Sequence, residues 1–290
     1  MLNSLIKTIY SPMVYRVSYM IENILWLALG LLIIASIIPR NYRLKFTVAG
    51  AGWAFFAVHW AFQWQHYAEV EDYVNVALTI LTAVICIFIG YILMRQDKRI
   101  LRDINGVSTT TSLFMATTAA AIGGISYFAF SEIQAMNTWL ISTVSGQTIQ
   151  VASLFGIAMT RVDWNLIAVN GYKVEIILAC TAIESIALFT GIIASANAPF
   201  KRQAAAFLIS VPVIYGLNLI RNVFIVAAYG MTWFGDPETS FYIAHTVIAK
   251  VGSLMALFLI AYAVMKILPE ILDMIDGILK LFGGIFKHGG

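Results

Sequence analysis

Charge is what this sequence has least of. Only 11% of its 290 residues are Asp, Glu, Lys or Arg, whereas 60% are hydrophobic. Soluble globular domains carry about 25% charged residues, so a chain this poor in charge cannot cover a water-facing surface of its size. The low charge excludes a soluble enzyme and a disordered chain. Together with a mean hydropathy of +0.84, it predicts a single integral membrane domain over residues 1–290.

Cysteine is scarce as well. The two cysteines, Cys86 and Cys180, lie far apart in the sequence and form no CxxC pair. Two cysteines cannot hold together a disulfide-rich secreted domain, which excludes that class of protein. The sequence has no HExxH motif and no paired histidine ligands, so we expect neither a bound metal nor another cofactor. The net charge of +3 is too small to indicate a nucleic-acid partner.

Long apolar runs dominate the chain. A membrane-crossing helix needs about 20 mostly apolar residues. Seven stretches qualify and predict an all-α polytopic fold, with four spans inside residues 1–130 and three inside 176–268. The predicted spans are 20–38, 46–64, 75–94, 106–130, 176–196, 203–229 and 241–268.

Lysine and arginine are distributed unevenly between the loops that join these spans. Cytoplasmic loops are enriched in Lys and Arg. Most of the 18 Lys and Arg residues fall into one set of loops, and the opposite set includes the acidic loop 65–74. The bias predicts a cell-membrane protein with its N-terminus outside and its C-terminus in the cytoplasm. The basic set is Arg40, Arg43, Lys45, Arg95, Lys98, Arg99, Arg102, Lys201, Arg202, Lys266, Lys280 and Lys287.

Two segments outside the spans have patterns of their own. Residues 131–175 form a long extracytoplasmic connection. Its second half, about 162–176, has two strand-like runs around Asn170-Gly171, a dipeptide favoured in type I′ turns, and predicts a short β-hairpin. Residues 269–290 carry apolar residues at helical spacing with Asp and Lys between them. This pattern predicts an amphipathic helix on the cytoplasmic membrane surface.

Ionisable side chains well inside the spans are confined to the last three spans. They are Glu184, Arg221, His245 and Lys250. Such groups are costly in a bilayer and by default indicate a functional site. Cys180 precedes Glu184 by one helical turn, so on a continuous helix both side chains would project from the same face.

Three polar residues are predicted to meet near the outer membrane surface. Cys180 and His245 each lie four residues inside the outer end of their predicted span. Arg221, in a polar stripe with Asn218 and Asn222, lies about 12 Å deep at 1.5 Å per residue, and its long side chain can reach upward. We therefore expect Cys180, Arg221 and His245 to form one site beneath the hairpin.

These three side chains are the parts needed for acyl transfer by a cysteine. A thiolate is a strong nucleophile, and a nearby guanidinium favours the charged form. The guanidinium of Arg221 can also donate hydrogen bonds to the oxyanion of a tetrahedral intermediate. His245 is the histidine placed to take the thiol proton and return it to a leaving amine.

Other interpretations of the same residues remain open. Cys180 could be a small packing residue, and Arg221 could form a structural ion pair with Glu184. In a transporter, Glu184, Arg221 and Lys250 would line a substrate path, although the sequence lacks the internal repeat that many transporters carry. A heptahelical receptor would share only the span count and the orientation.

Three short motifs follow one another in the last three spans. They are Leu178-Ala179-Cys180-Thr181-Ala182-Ile183-Glu184-Ser185, Gly216-Leu217-Asn218-Leu219-Ile220-Arg221-Asn222 and Ala244-His245. In order and spacing they resemble the motifs of the exosortase/archaeosortase family of membrane transpeptidases, above all its archaeosortase branch. The resemblance covers roughly residues 160–265.

The resemblance implies an enzyme and a class of substrate. Members of this family act on proteins with a C-terminal tail made of a short motif, a transmembrane helix and a basic cluster, and the archaeosortase branch recognises Pro-Gly-Phe. By resemblance, Cys180 would form a thioester acyl-enzyme, Arg221 would stabilise charge and His245 would be the acid/base. The new C-terminus would pass to a prenyl lipid that anchors surface proteins such as the S-layer glycoprotein. Supporting residues would be Glu184, Asn218 and Asn222.

Overall fold

A computed structural model of the chain describes residues 23–39, 42–69, 71–95 and 109–286. The described residues divide into two compact units. One comprises those up to Ala121 and from Asp273 onward, and the other is Ile122–Leu272. The N-terminus, for which the sequence predicts an outside position, lies outside the described residues. So do five members of the basic set, namely Arg40, Lys98, Arg99, Arg102 and Lys287.

Helices make up most of the described chain. In chain order they are α1 (Asn23–Ile37), α2 (Arg43–Glu69), α3 (Tyr73–Arg95), α4 (Thr109–Glu132), α5 (Gln134–Leu154), α6 (Ile183–Ser195), α7 (Phe200–Gly230), α8 (Pro237–Ile267) and α9 (Glu270–Phe286). Of these, α3, α4, α7 and α8 are long and apolar enough to cross a membrane, and α1 and α6 are shorter apolar helices. The multi-pass helical fold is confirmed, whereas the count of seven spans is not.

Helix α5 lies in a segment for which the sequence pattern predicts only a long connection. Its buried residues include Ile141, Ser145, Thr148 and Ala152, which follow helical spacing. The hydroxyls of Ser145 and Thr148 each donate to a carbonyl one turn back, at 2.8 Å. These bonds let polar residues lie on a buried helix face. A helix with polar residues on its buried face is missed when helices are predicted from long apolar runs.

The predicted hairpin is confirmed. It forms part of a three-stranded antiparallel sheet of β1 (Thr160–Arg161), β2 (Leu166–Val169) and β3 (Tyr172–Glu175). The turn between β2 and β3 is Asn170-Gly171, with φ of 51° and 87°. Both values are positive, as a type I′ turn requires.

The sheet packs on the C-terminal end of α7. Nδ2 of Asn170 donates to the carbonyl of Gly230 at 3.1 Å. A Cβ atom on Gly230 would lie 2.6 Å from the Cβ of Val169, so only glycine permits this approach. Val169 and Val226 share one buried cluster beneath the sheet. The hairpin is therefore held against the helix that carries Arg221.

In the first unit, helices α2 and α3 approach each other at two glycines. A Cβ on Gly50 would lie 3.0 Å from the carbonyl oxygen of Gly90, and a Cβ on Gly90 would lie equally close to that of Gly50. Small residues allow such close helix crossings in membrane proteins. Cys86 lies buried on α3, as expected for a packing residue.

Near the N-terminal end of α7, Arg202 connects this helix to the turn between α8 and α9. Its guanidinium donates to both carboxylate oxygens of Glu270, at 2.7 and 2.9 Å. It also donates to the carbonyl of Ile267, at 2.9 and 2.6 Å. These hydrogen bonds from Arg202 hold the pKa of the Glu270 carboxyl below its ordinary value.

Because of the Arg202–Glu270 pair, the free energy of unfolding should decrease as the pH becomes acidic. Folding lowers the pKa of Glu270, so the pair makes its full contribution to the stability of the folded protein at pH values above the ordinary pKa of 4.5. This contribution is lost as the pH falls through the lowered pKa of the folded protein. Glu270→Gln should lower the unfolding free energy of the detergent-solubilised protein at neutral pH by about 1 kcal/mol. Thermal unfolding of both proteins between neutral pH and about pH 3 checks this. A difference in Tm that does not shrink as the pH falls below the ordinary pKa would contradict an ionic origin.

Candidate active site

Cys180 lies in a break between the sheet and helix α6. The hairpin ladder continues to Ile176, whose N–H donates to the carbonyl of Asn165 at 2.8 Å. Leu178–Cys180 then form one turn of 3₁₀-helix, and α6 begins only at Ile183. The predicted continuous span over 176–196 is therefore wrong at its start, because a residue paired with the sheet cannot also join the helix.

The break also changes the relation between Cys180 and Glu184. Ala182, which lies between them, has φ 60° and ψ 11°, a left-handed conformation that is uncommon for a residue with a side chain. The prediction that Cys180 and Glu184 share one helix face is therefore wrong. Thr181 stabilises the turn: its Oγ1 donates to the carbonyl of Leu178 at 2.7 Å and accepts from the N–H of Ile183 at 3.4 Å.

Two side-chain amides from α7 hold the backbone carbonyl of Cys180. Nδ2 of Asn218 donates to it at 2.7 Å and Nδ2 of Asn222 at 2.9 Å. Both asparagines are buried, with exposed fractions of 8% and 2%. They lie one helical turn apart, so their amides reach the same oxygen from one face of α7. The cysteine backbone is thereby fixed against the turn that carries Arg221.

A cavity of about 390 Å³ lies between the Cys180 turn, α7 and α8. Ala179 and Ala182, on either side of Cys180, line it, whereas Cys180 and His245 are not among its lining residues. Much of the wall is apolar. The polar and charged lining residues are Glu184, Ser185, Asn218, Arg221, Lys250 and Ser253.

Arg221 lines this cavity. Within the part of the chain that the structure describes, Arg221, Glu184 and Lys250 form no salt bridge with each other or with another residue. The structural Arg221–Glu184 pair considered from the sequence is thus not formed among these residues. Arg221 is half-buried, and a guanidinium in this position can donate hydrogen bonds to a bound ligand.

His245 lies on a distorted segment of α8. Residues Tyr242–Ile248 follow π-helical hydrogen bonding, a distortion that occurs often at functional sites. The imidazole ring stacks on Phe241, with ring centroids 5.1 Å apart and planes 6° apart. The positive charges of Arg221 and Lys250 both act on this ring. His245 therefore lies in the electrostatic field of the cavity without lining it.

The structure brings predicted site residues together in two ways. Arg221 and Glu184 line the cavity, as does Asn218, which with Asn222 also binds the Cys180 backbone. Sequence reasoning missed Ala182, Phe241 and the π-helical segment. The pair of Phe241 and His245 at i, i+4 was a visible signal for a ring contact, whereas nothing in the sequence indicates the left-handed Ala182.

This arrangement suits chemistry in which negative charge develops. Cys180 lies just before the N-terminal end of α6, where N–H groups without a partner inside the helix attract negative charge. Arg221 lines the same cavity as the residues on either side of Cys180. Attack by a sulfur nucleophile on a carbonyl group creates an oxyanion that such donors stabilise.

Comparison with known proteins agrees with these features. Residues 16–262 match the family described as transmembrane exosortase (Exosortase_EpsH). The chain belongs to the transmembrane exosortase family. It is 27% identical to archaeosortase A of Haloferax volcanii over 89% of this chain and 93% of that protein. It is 30% identical to archaeosortase A of Natronomonas pharaonis over 81% of this chain and 79% of that protein. No solved structure matches the chain.

Membership of the exosortase family confirms the resemblance carried by the three short motifs, all of which lie inside the matched residues. It makes the chain a multi-pass membrane protein. It also supports an enzyme, a membrane transpeptidase that acts on the sorting signals of surface proteins.

Proposed function

We propose that this exosortase-family protein is a cysteine transpeptidase whose nucleophile is Cys180. The observation that supports this most directly is the pair of hydrogen bonds from Asn218 and Asn222 to the Cys180 carbonyl. Two buried amides hold this one cysteine backbone beside the turn that carries Arg221. A packing cysteine needs no such arrangement, since buried Cys otherwise behaves as a small hydrophobic residue.

In the proposed reaction, the thiol of Cys180 passes its proton to His245, and the sulfur attacks the carbonyl carbon of the scissile peptide bond. The new C–S bond creates a tetrahedral oxyanion, to which Arg221 donates hydrogen bonds. Collapse of this intermediate breaks the C–N bond while His245 returns the proton to the leaving amine, and a thioester remains. The acceptor then attacks the thioester, loses its proton to His245 and releases the sulfur, which regains that proton.

We further propose that the substrate is a surface protein with a Pro-Gly-Phe motif, a transmembrane helix and a basic cluster at its C-terminus. Similarity to the two archaeosortase A proteins supports this choice. A basic end stays in the cytoplasm, so the motif would lie at the outer membrane face. The orientation predicted from the loops puts the Cys180 region on the same face. The proposed acceptor is a prenyl lipid, which would anchor the product in the cell membrane.

A transporter is the alternative function, and one observation favours it. Glu184, Arg221 and Lys250 line a single cavity, as a substrate path would require. Family membership favours the enzyme. The hydrogen bonds to the Cys180 carbonyl favour it too, because a transport path does not require a cysteine backbone held in one position.

Processing of a tailed reporter tests the proposed function. A secreted domain followed by the Pro-Gly-Phe motif, a transmembrane helix and a basic cluster is expressed with and without the protein. We expect a gel shift and a change of intact mass only when the protein and the motif are both present, and the added mass identifies the acceptor. The matched control is a reporter with Ala-Ala-Ala in place of the motif. Equal processing of both reporters, or none while the protein is in the membrane, would count against the proposal.

Replacement of Asn218 and Asn222 together by Ala should slow reporter processing. Without the two amides, the Cys180 carbonyl loses its side-chain donors and its turn can move, which we expect to cost a factor of about 10 to 100 in rate. The measurement is the pulse-chase rate per amount of folded protein. Asn137→Ala is the matched control, because Asn137 donates to the carbonyl of Phe130 at 2.9 Å but does not line the cavity. Equal rates in the double variant and the control would mean that the amides do not position Cys180.

A further inference from the structure

A row of rings connects the hairpin with His245. This aromatic row consists of Tyr172, Tyr229, Phe241 and His245. Successive ring centroids are 5.4, 5.6 and 5.1 Å apart. The first two contacts are edge-to-face, at 66° and 76°, whereas Phe241 and His245 are almost parallel, at 6°. The row begins on strand β3 and ends at the residue proposed to carry the proton.

Parallel stacking restricts the orientation of the His245 ring. An imidazole that lies flat on a benzene ring loses contact area when it turns about its Cβ–Cγ bond, so rotation is disfavoured. Phe241 is itself restrained, because the ring of Tyr229 packs against it at 5.6 Å. The orientation of the His245 ring therefore depends on Phe241.

The backbone that carries Phe241 is also fixed. At the start of α8, Oδ1 of Asp236 accepts from the N–H of Thr239 at 3.0 Å, an N-cap bond. Oγ of Ser240 accepts from the N–H of Phe234 at 3.0 Å and ties this turn to the preceding loop. The π-helical segment follows directly after Phe241. Phe241 thus lies between a capped helix start and the distortion that carries His245.

The other end of the row is anchored on the hairpin. Tyr172 pairs with Val169 across the hairpin turn. Tyr229 precedes Gly230, whose carbonyl accepts from Asn170 in that turn. Displacement of the hairpin would therefore move Tyr229, and through it Phe241.

We propose that Phe241 is a positioning residue for His245, which holds the imidazole in the plane needed to exchange a proton with Cys180. This inference rests on the proposed role of His245. Phe241 acts through that ring and does not itself carry a proton. Tyr229 supports Phe241, and Tyr172 supports Tyr229, so the effect of removing a ring should decrease along the row.

The rate at which iodoacetamide alkylates Cys180 tests the inference without any substrate. In a Cys86→Ala background, Cys180 is the remaining thiol of the chain. Phe241→Leu should slow alkylation about three- to tenfold, as expected from the loss of an aromatic pair. Phe241→Tyr keeps the stacked ring and should react at the parent rate. Tyr242→Leu is the matched control, because Tyr242 is the next residue and 59% exposed, and it should also react at the parent rate.

A double-mutant comparison separates positioning from a general structural effect. In a His245→Ala background, Phe241→Leu should cause no further slowing, because its influence passes through the imidazole. The same slowing in both backgrounds, or slow alkylation in Phe241→Tyr, would overturn the inference. If Phe241→Leu does not fold, judged by its Tm, Tyr229→Leu provides the same comparison with a smaller expected slowing.

The outcomes distinguish this inference from the proposed function. If His245→Ala leaves alkylation unchanged, the imidazole does not act on the thiol, and the inference fails together with the role of His245. If His245→Ala slows alkylation but Phe241→Leu does not, only the inference fails. In that case the reporter assay still supports or rejects the transpeptidase independently.

Discussion

Replacement of Cys180 by Ala or Ser should abolish processing of the tailed reporter. Alanine removes the nucleophile, and a serine hydroxyl is far less nucleophilic than a thiolate unless a strong base activates it. Loss of a nucleophile in covalent catalysis lowers the rate by about 10³-fold or more, below what a gel shift detects. The measurement is the fraction of reporter converted in a pulse-chase by cells with equal amounts of each variant in the membrane.

The structure supplies reasons to expect a clean result. Asn218 and Asn222 bind the backbone carbonyl of Cys180, so a change of its side chain leaves both hydrogen bonds in place. Cys86→Ala is the control, because Cys86 is 2% exposed on α3 and belongs to the first unit. We expect that variant to process the reporter at nearly the normal rate. Equal loss in the two variants, or full activity without the Cys180 thiol, would remove Cys180 from the mechanism.

Local rules were sufficient to predict the hairpin and most of the helices. The hairpin follows from Asn170-Gly171, because its turn needs positive φ at both central residues and this dipeptide adopts it readily. Helices such as α3 and α7 follow from apolar runs long enough to cross a bilayer. The C-terminal helix α9 follows from its spacing of apolar residues.

Local rules failed where tertiary contacts decide the conformation. Hydropathy continues without interruption from the hairpin into α6, so a single span over 176–196 was predicted. The hydrogen bond from Ile176 to Asn165 and the left-handed Ala182 interrupt it instead. Helix α5 was missed for the opposite reason, because polar residues such as Ser145 and Thr148 lie on its buried face.

In the candidate site, too, local rules predicted some features and tertiary contacts determined the others. The residue types were recognisable from the sequence, because intramembrane charges such as Arg221 are costly and indicate function. Their geometry was not, since the stripe of Asn218, Arg221 and Asn222 predicted only a polar face on α7. The structure adds that two of these residues bind a backbone carbonyl 38 and 42 positions earlier in the chain. Such long-range pairing has no local signature in a single sequence.

Arg221→Lys should slow reporter processing about 10²-fold or more even though it keeps the positive charge. The guanidinium offers a planar fork of donors, whereas an ammonium group offers one point charge on a flexible chain. Removal of an oxyanion donor typically costs about 10²–10³ in rate. The measurement is the same pulse-chase conversion, with the amount of folded protein determined for each variant.

Arg202→Lys is the matched control for this prediction. Arg202 lies on the same helix and donates a bidentate pair to Glu270, so the identical substitution should lower Tm while the rate per folded molecule stays normal. A slow rate at Arg221 with a normal rate at Arg202 therefore separates catalysis from stability. Full activity of Arg221→Lys would mean that positive charge alone is sufficient beside Glu184 and Lys250. The planar fork of guanidinium donors would then not be required for the oxyanion.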